Sequence, residues 1–353
     1  MNITYLLGNG FDLNLGLHTK YEDFYDYYLK QDTKNADIDR LKKSINESVN
    51  TNNKSISVIN WGDAELGFGS YTRRLSVSDN RDEIMAVCHT DICRELADYL
   101  LLEEERFNNV DLQAKVKSQD IIGSFFNNYN LGLQPDDREL IENQIKAIGG
   151  AKVVNIISFN YTRTIDAINN SVLSVEDLGK RLYNNTNYVN RMGDIIHIHG
   201  TVEHGMVFGL NDESQLDSSI FHENEPEWRN QLIKPFFLKD MGEGVENKVD
   251  KVLANSHIIY IYGMSLGETD KRIWQSIITK MRQYSYMILI INDYNAPKVG
   301  LNATEYRRYS RKRTEEFLQN MEDLDETFQN TIRNRIFISN ENIFACLKDV
   351  IKD

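Results

Sequence analysis

The sequence predicts an α/β fold, namely a doubly wound, mostly parallel sheet that carries a large helical insertion. Three observations lead to it. Short runs rich in β-branched residues recur along the chain without polar alternation, which is typical of strands buried on both faces of a parallel sheet. Helical patterns follow the better-defined runs, as in doubly wound sheets. One long stretch, residues 21–148, has almost no strand signal.

The elements follow in chain order from these patterns. Six runs are strand candidates: Ile3–Leu7, Val153–Phe159, Asp194–His199, His257–Tyr262, Met287–Ile291 and Ile336–Ile338. Four stretches have apolar residues at helical spacing: Glu22–Lys30, Ala36–Val49, Arg81–Phe107 and Arg138–Ala147. We therefore predict a first βα unit (1–30), a helical insertion (31–149), the remaining α/β core (150–300) and a C-terminal helical segment with a short strand that packs on the core (301–353). Such an insertion can roof a site at the carboxyl ends of the strands.

The composition is that of an ordinary globular protein. The chain has 353 residues, 41% of them hydrophobic and 26% charged. It begins directly with a strand candidate, and its most apolar stretch, His257–Leu266, is about half the roughly 20 residues that a membrane-spanning helix needs. With only three cysteines, the chain is predicted to be cytoplasmic and to have no membrane partner.

The charge makes nucleic acid an unfavourable partner. Binding to a phosphate backbone depends on clustered Lys and Arg, whereas the formal net charge here is −13. The basic run at residues 307–313 is a local exception with the pattern of a solvated helix face. Cys88, His89 and Cys93 lack a fourth ligand at tetrahedral spacing, so we expect no metal there.

Glycines follow the first predicted strand, in Gly8-Asn9-Gly10-Phe11-Asp12. A Gly-x-Gly after a strand lets the backbone turn sharply and lets a pyrophosphate approach the amides of the next helix. Leu13 stands where the dehydrogenase pattern has its third glycine, which disfavours a nicotinamide dehydrogenase. The alternative is a tight turn that needs glycine for structural reasons alone.

Asn160 and Tyr161 follow the second predicted strand. The carboxyl ends of strands line the ligand crevice of open α/β sheets, so Asn160 is well placed to hydrogen-bond a sugar or a water. Its alternative role is to cap the next helix.

His197 and His199 lie on one face of the third predicted strand, because side chains alternate along a strand. A His-x-His pair can hold a metal, but no carboxylate motif accompanies it, and metal binding is disfavoured. His199, ahead of Gly200 at the mouth of a site, is suited to act as a general base. His197, deeper in the strand, is predicted to be a hydrogen-bonded core residue.

A fourth strand ends at Gly263, before Ser265, Leu266 and the acidic helix start Glu268–Asp270. Gly263 and Ser265 offer an amide and a hydroxyl to a phosphate or a ribose. The alternative is an ordinary helix N-terminus. The four strand ends converge on one edge of one sheet, which predicts the nucleotide site of a Rossmann-like fold.

Together these segments resemble the AbiH abortive-infection family of bacterial phage-defence proteins. Five stretches follow in the family's order over most of the chain: residues 7–24, Trp61–Glu65, Phe159–Thr162, His197–Gly200 and Tyr262–Gly267. His18 stands where the family more often has proline.

The same order is similar to a distant sirtuin-like NAD-binding core, with NAD as substrate or ligand. This resemblance implies that Asn160 orients the ribose and an attacking water, while His199, beside Gly200, accepts a proton. Around them it implies binding by the glycine loop Gly8, Asn9 and Gly10 and by the late loop of Gly263, Ser265 and Leu266. From the chemistry we add the hypothesis that Phe11 and Tyr161 shield the sugar and that Asp12 and Asp270 bind ribose hydroxyls, the alternative for each aspartate being to stabilise a helix start. Thr162 replaces the aspartate usual in sirtuin-like proteins, and the paired-cysteine zinc module of protein deacylases is missing, which disfavours deacylation.

The predicted function is therefore an anti-phage effector that hydrolyses NAD to nicotinamide and ADP-ribose. Two alternatives stay open, a non-catalytic module that senses NAD or ADP-ribose, and a metal-dependent nuclease using His197, His199 and Asp12. The net charge counts against the nuclease. A hydrolase would have to stay inactive until an unknown phage trigger arrives, held by homo-oligomer formation or by the helical insertion.

Overall fold

The computed structural model describes residues 1–353 except 51–58, 76–79, 174–176, 211, 217–231, 235–243, 268–269, 299–302, 321–325 and 353. Its centre is a sheet of six parallel strands: β1 (Asn2–Leu7), β2 (Val153–Ser158), β5 (Arg191–His197), β6 (Ile258–Tyr262), β7 (Ile288–Asn292) and β8 (Ile336–Ser339). The strand order is β5-β2-β1-β6-β7-β8, and every neighbouring pair is parallel. The predicted doubly wound, Rossmann-like α/β fold is confirmed.

The helices occupy the predicted stretches and several others. They are α1 (Asn9–Leu15), α2 (Tyr21–Tyr28), α3 (Ala36–Asn50), α4 (Ala64–Leu75), α5 (Arg81–Asn108), α6 (Leu112–Lys115), α7 (Ser118–Phe126), α8 (Pro135–Lys146), α9 (Thr164–Ile168), α10 (Val245–Ala254), α11 (Lys271–Gln283), α12 (Ala303–Leu318) and α13 (Glu326–Arg333). The basic run 307–313 lies on α12 and is exposed or half-buried, as a solvated helix face should be. Within the described ranges, no helix is both long and apolar enough to span a membrane.

Both faces of the sheet are covered by apolar side chains. Tyr5 and Leu7 of β1 belong to one hydrophobic cluster, while Leu6 between them belongs to another. The same alternation holds in β6, where Tyr260 belongs to the first cluster and Ile261 to the second. Burial on both faces explains why the strands read as continuous apolar runs.

The strand order reverses at β1. The chain places β2 and then β5 on one side of β1, and β6, β7 and β8 in turn on the other. In open α/β sheets, ligands bind outside the carboxyl ends of the strands at such a reversal. The loops after β1 and β6 flank this point.

A two-stranded hairpin was not predicted. It consists of β3 (Lys180–Tyr183) and β4 (Thr186–Val189), joined by Asn184 and Asn185 in left-handed conformation. Asparagine is one of the few residues that accept this conformation, and a two-residue turn of this kind closes a hairpin. The hairpin strands are short and largely exposed, so they lack the apolar signal of the sheet strands.

The chain divides into two compact units. The first holds the sheet and comprises Met1–Leu17, Phe107–Ile198 and Val245–Asp353. The second comprises His18–Arg106 and His199–Gly244. Residues 107–149, grouped with the helical insertion in the sequence prediction, thus belong to the sheet unit, and residues 199–244 belong to the second unit.

Candidate functional site

The loops after β1 and β6 touch through their glycines. Gly10 donates its amide to the carbonyl of Gly263 at 2.8 Å, and Gly8 donates to the carbonyl of Tyr262 at 3.0 Å. A Cβ on Gly10 would lie 2.5 Å from the Cα of Gly263, and Gly263 itself has φ +66°. Only glycine permits this approach, because any side chain would collide with backbone. The glycines therefore serve the junction of two loops at the strand-order reversal.

Two backbone amides in the first turn of α1 are already bonded within the protein. The amide of Phe11 donates to the carbonyl of Gly8 at 2.8 Å, and that of Gly10 to Gly263. Asn9, between the two glycines, is exposed. A ligand at this edge therefore meets the side chain of Asn9 rather than the amides of Gly10 and Phe11.

The ring of Phe11 belongs to the core. It is fully buried and meets Tyr262 and Phe344 edge-on, with centroids 6.4 and 5.3 Å away. The Tyr262 hydroxyl donates to Asn342 Oδ1 at 2.7 Å, and burial raises its pKa, so it stays protonated. The structure thus places Phe11 beneath the loop and gives it no face for a sugar.

Asp12 is a buried carboxylate held by threonines. Its oxygens accept hydrogen bonds from Thr162 Oγ1 at 2.5 Å and Thr164 Oγ1 at 2.7 Å, and the residue is 1% exposed. Hydroxyl donors stabilise a carboxylate that has lost its water. Asp12 thereby ties the first turn of α1 to the loop that follows β2.

Asn160 links the ends of β1 and β2. Its Nδ2 donates to the carbonyl of Gly8 at 3.2 Å, and its amide donates to Ser158 Oγ at 3.2 Å. The side chain is 8% exposed. Tyr161, the next residue, is half-buried. The predicted meeting of Asn160 with the Gly8–Gly10 loop is present in the structure.

His197, on the neighbouring strand β5, stabilises the loop that contains Asn160. Its Nε2 lies 2.7 Å from Asp166 Oδ2 on α9, and its Nδ1 lies 3.3 Å from the carbonyl of Asn160. Both ring nitrogens therefore face oxygen acceptors. His197 is hydrogen-bonded, as the sequence predicted, but it is half-buried rather than a core residue, and it supports the backbone of Asn160.

Past Gly263, the loop after β6 is more exposed than the contact between Gly10 and Gly263. Ser265 is exposed, and Leu266 is half-buried against the hydrophobic cluster of β6 and α11. Asp270 is half-buried at the start of α11, and residues 268–269 lie outside the described ranges. Within the sheet unit, Gly8, Asn9, Gly10, Asp12, Asn160 and Gly263 are brought together, with Tyr161 and Ser265 in the adjoining loop positions.

His199 and Gly200 belong to the second unit. The ladder between β5 and β2 ends with the Ile198 amide on the Ser158 carbonyl at 3.0 Å, and His199 follows in the chain. His199 is 8% exposed, and its carbonyl accepts from the Val207 amide at 2.9 Å. Gly200 has φ +68° at the start of a tight turn in which a Cβ would lie 2.0 Å from the Gly205 carbonyl.

Thr201, in the same turn, carries a buried hydroxyl. The residue is 7% exposed, and among the described residues Oγ1 has no hydrogen-bond partner. Leaving such a group unpaired costs stability. Its position two residues after His199 makes it part of the candidate region in the second unit.

A buried ion pair was not predicted. Glu65 Oε2 lies 2.7 Å from Lys234 Nζ, and each side chain is 6% exposed. Glu65 ends the Trp61–Glu65 segment and also accepts from the Gly209 amide at 3.4 Å. Removing one partner of such a pair leaves an uncompensated buried charge.

Sequence reasoning missed Thr162, Thr164 and Asp166 as partners of Asp12 and His197. Two threonines after Asn160 are visible in the sequence, but threonine before a short helix reads as an ordinary cap. Their role depends on contacts between distant residues: the two threonines lie about 150 positions from Asp12, and Asp166 lies 31 positions from His197.

Comparison with known proteins gives one assignment. No curated protein matches the sequence. The family model described as "Bacteriophage abortive infection AbiH" matches residues 4–292, well over half of the chain, and these residues include every candidate position discussed above. This match confirms the resemblance seen in the motifs: the chain belongs to the AbiH family of bacteriophage abortive-infection proteins.

Proposed function

We propose that this abortive-infection protein binds NAD at the carboxyl edge of its sheet and hydrolyses it to nicotinamide and ADP-ribose. One observation carries the proposal. The strand order reverses at β1, and Asn160 hydrogen-bonds the Gly8 carbonyl beside this reversal. A nucleotide bound there would meet the exposed side chains of Asn9 and Ser265.

Hydrolysis of NAD requires positioning of the ribose and the water more than acid catalysis. The C–N glycosidic bond breaks with its electron pair going to the nicotinamide nitrogen, which neutralises that cationic ring. A water oxygen then bonds to the ribose carbon and releases one proton. Asn160, held from both sides by Gly8 and Ser158, orients the ribose and this water. We assign this proton to His199, the base that the similarity to sirtuin-like cores implies.

A second candidate has a specific observation in its favour. The Gly10 and Phe11 amides are bonded within the protein, and the Asp12 carboxylate is held by two threonines. Polar groups that are already hydrogen-bonded to the protein are less available for catalysis. Such a site suits a module that binds NAD or ADP-ribose and signals without turnover.

The test compares wild type, Asn160→Ala and His199→Ala in cells, with NAD, nicotinamide and ADP-ribose measured over time after phage infection. We expect NAD to fall and both products to rise in wild type, with a rate about 10²-fold lower in each variant. The matched control is Asn187→Ala, an exposed asparagine on β4.

Two results would count against hydrolysis. Protection from phage with unchanged NAD would exclude the hydrolase. Purified wild type that binds NAD without producing nicotinamide in infected-cell extract would establish the sensing module instead.

A further inference from the structure

A basic cleft lies between α3 and α4 in the second unit. It is lined by three cations, Arg40, Lys43 and Arg74, together with Ser44, Tyr71 and the single acid Glu47. Its volume is about 460 Å³, within the roughly 300–1,000 Å³ of small-molecule sites. The cleft is separate from the residues of the proposed NAD site.

The two helices present these side chains by their spacing. Arg40, Lys43 and Glu47 stand three and four residues apart and share one face of α3, and Tyr71 and Arg74 share one face of α4. Cations thus line the cleft from both sides. Among the lining residues three cations stand against one acid, although the chain as a whole has a net charge of −13, and Asp37 and Asp39 beside Arg40 and Lys43 offset part of this positive charge.

Arg40 and Lys43 form ion pairs in which the cation is largely exposed. Arg40 pairs with Asp37 at 3.1 Å and Lys43 with Asp39 at 2.7 Å, and the two cations are 63% and 69% exposed. Arg74 lies 3.7 Å from Glu47. Ion pairs this exposed are weak because water competes for both charges. An anion that contacts several of the cations at once can therefore replace the carboxylates.

The floor of the cleft is buried and partly polar. Tyr71 is 3% exposed, and its ring packs on Trp61 and Phe68 at centroid distances of 6.2 and 6.4 Å. Ser44 Oγ accepts from Trp61 Nε1 at 3.3 Å. Burial raises the pKa of Tyr71 to about 12, while the charges of Arg40 and Arg74 act in the opposite direction. The Tyr71 hydroxyl therefore stays protonated and can donate a hydrogen bond.

We propose that the α3–α4 cleft binds a small molecule through a diphosphate or triphosphate group. Two arginines can each donate in parallel to phosphate oxygens, and Lys43 adds a third positive charge. The hydroxyls of Tyr71 and Ser44 supply neutral donors at the floor. The ligand is of small-molecule size, because the cleft is bounded by two helices and the overall charge repels a polyanion.

The test uses inorganic pyrophosphate as the probe, titrated calorimetrically into the full-length protein at low ionic strength. We expect binding to wild type and at least about tenfold weaker binding to Arg40→Gln/Lys43→Gln. Arg74→Gln, on the opposite helix, should weaken it as well. The control is Arg307→Gln/Arg308→Gln, which removes the same charge from exposed positions on α12.

A local readout accompanies the titration. With 5-fluorotryptophan incorporated, the Trp61 resonance, assigned with Trp61→Phe, should shift on pyrophosphate addition, because Trp61 contacts both Ser44 and Tyr71. The Trp274 resonance should stay in place.

The outcomes separate this site from the proposed NAD site. Retained binding in Asn160→Ala, with loss in the α3 double variant, supports the cleft whether or not NAD is hydrolysed. Loss in Asn160→Ala with none in the α3 double variant would overturn it and place pyrophosphate at the sheet edge. Equal weakening in the α12 control, or no binding to wild type, would also overturn it.

Discussion

The carboxylate of Asp12 connects two chain segments that are far apart in sequence. It is buried on α1 and accepts from Thr162 and Thr164 on the segment after β2. These bonds hold the Asn160 loop next to the Gly8–Gly10 turn. The geometry of the candidate site therefore depends on Asp12, although its carboxylate oxygens are hydrogen-bonded to the protein itself.

Asp12→Ala should destabilise the protein by about 2–3 kcal/mol, because two buried hydroxyls lose their acceptor. Urea unfolding followed by circular dichroism measures this. Asp194→Ala, an exposed aspartate on β5, is the matched control and should change stability by less than about 0.5 kcal/mol. Equal stability of Asp12→Ala and wild type would show that the threonine contacts contribute nothing.

At the scale of elements, the sequence pattern predicted the strands of the sheet, because packing in the sheet determines which of their residues are apolar. All six sheet strands were predicted to within three residues. Five of them are apolar runs whose side chains are mostly buried, whereas β5, at the edge of the sheet, is largely exposed or half-buried. Helix α4 was not predicted. It contains Gly67 and Gly69, which lower helix propensity, and its place is set by contacts such as Gly69 against Leu210 and Gln215.

The junction of β1 with β6 contains a titratable group. His257, just before β6, accepts a hydrogen bond on Nδ1 from the Asn2 amide at 3.0 Å. Burial, with contributions from the positive charges of the N-terminal amine and of Arg181, lowers the pKa of His257 to about 4. The unfolded chain binds this proton near pH 6.5, whereas the folded protein does so only near pH 4.

Stability should therefore fall as pH decreases from about 6.5 to about 4, with no further loss from this group below that range. Solvent screening of the partly exposed ring limits the loss to about 1 kcal/mol, or about 2 °C in Tm. His257→Asn keeps an acceptor for the Asn2 amide but does not titrate. The two proteins should differ little in Tm at pH 8 and diverge at pH 5, and parallel pH profiles would contradict this prediction.

At the scale of the whole molecule, the sequence predicted the sheet and the convergence of its strand ends but not the partition of the chain. The second unit joins His18–Arg106 to His199–Gly244, two segments separated by β2 and β5. Its buried Glu65–Lys234 pair joins them and has no local sequence signal. Contacts between distant segments leave no period in the sequence, which is why this grouping escaped prediction.

The two proposed ligands should act on different elements of the same molecule. A ligand at 100 times its Kd stabilises the state that binds it by about 2.7 kcal/mol. Hydrogen exchange read by mass spectrometry reports such stabilisation peptide by peptide. We expect NAD to slow exchange in peptides from β1, β2 and β6, and pyrophosphate to slow it in α3 and α4.

Each ligand serves as the control for the other in this experiment, because both are added to the same protein at the same multiple of their own Kd. The Asn160→Ala variant should lose the NAD response and keep the pyrophosphate response, and Arg40→Gln/Lys43→Gln should do the reverse. Protection of the sheet strands by both ligands would mean that pyrophosphate occupies the NAD site. In that case the cations of α3 and α4 bind no ligand, and their role is to form the exposed ion pairs with Asp37, Asp39 and Glu47.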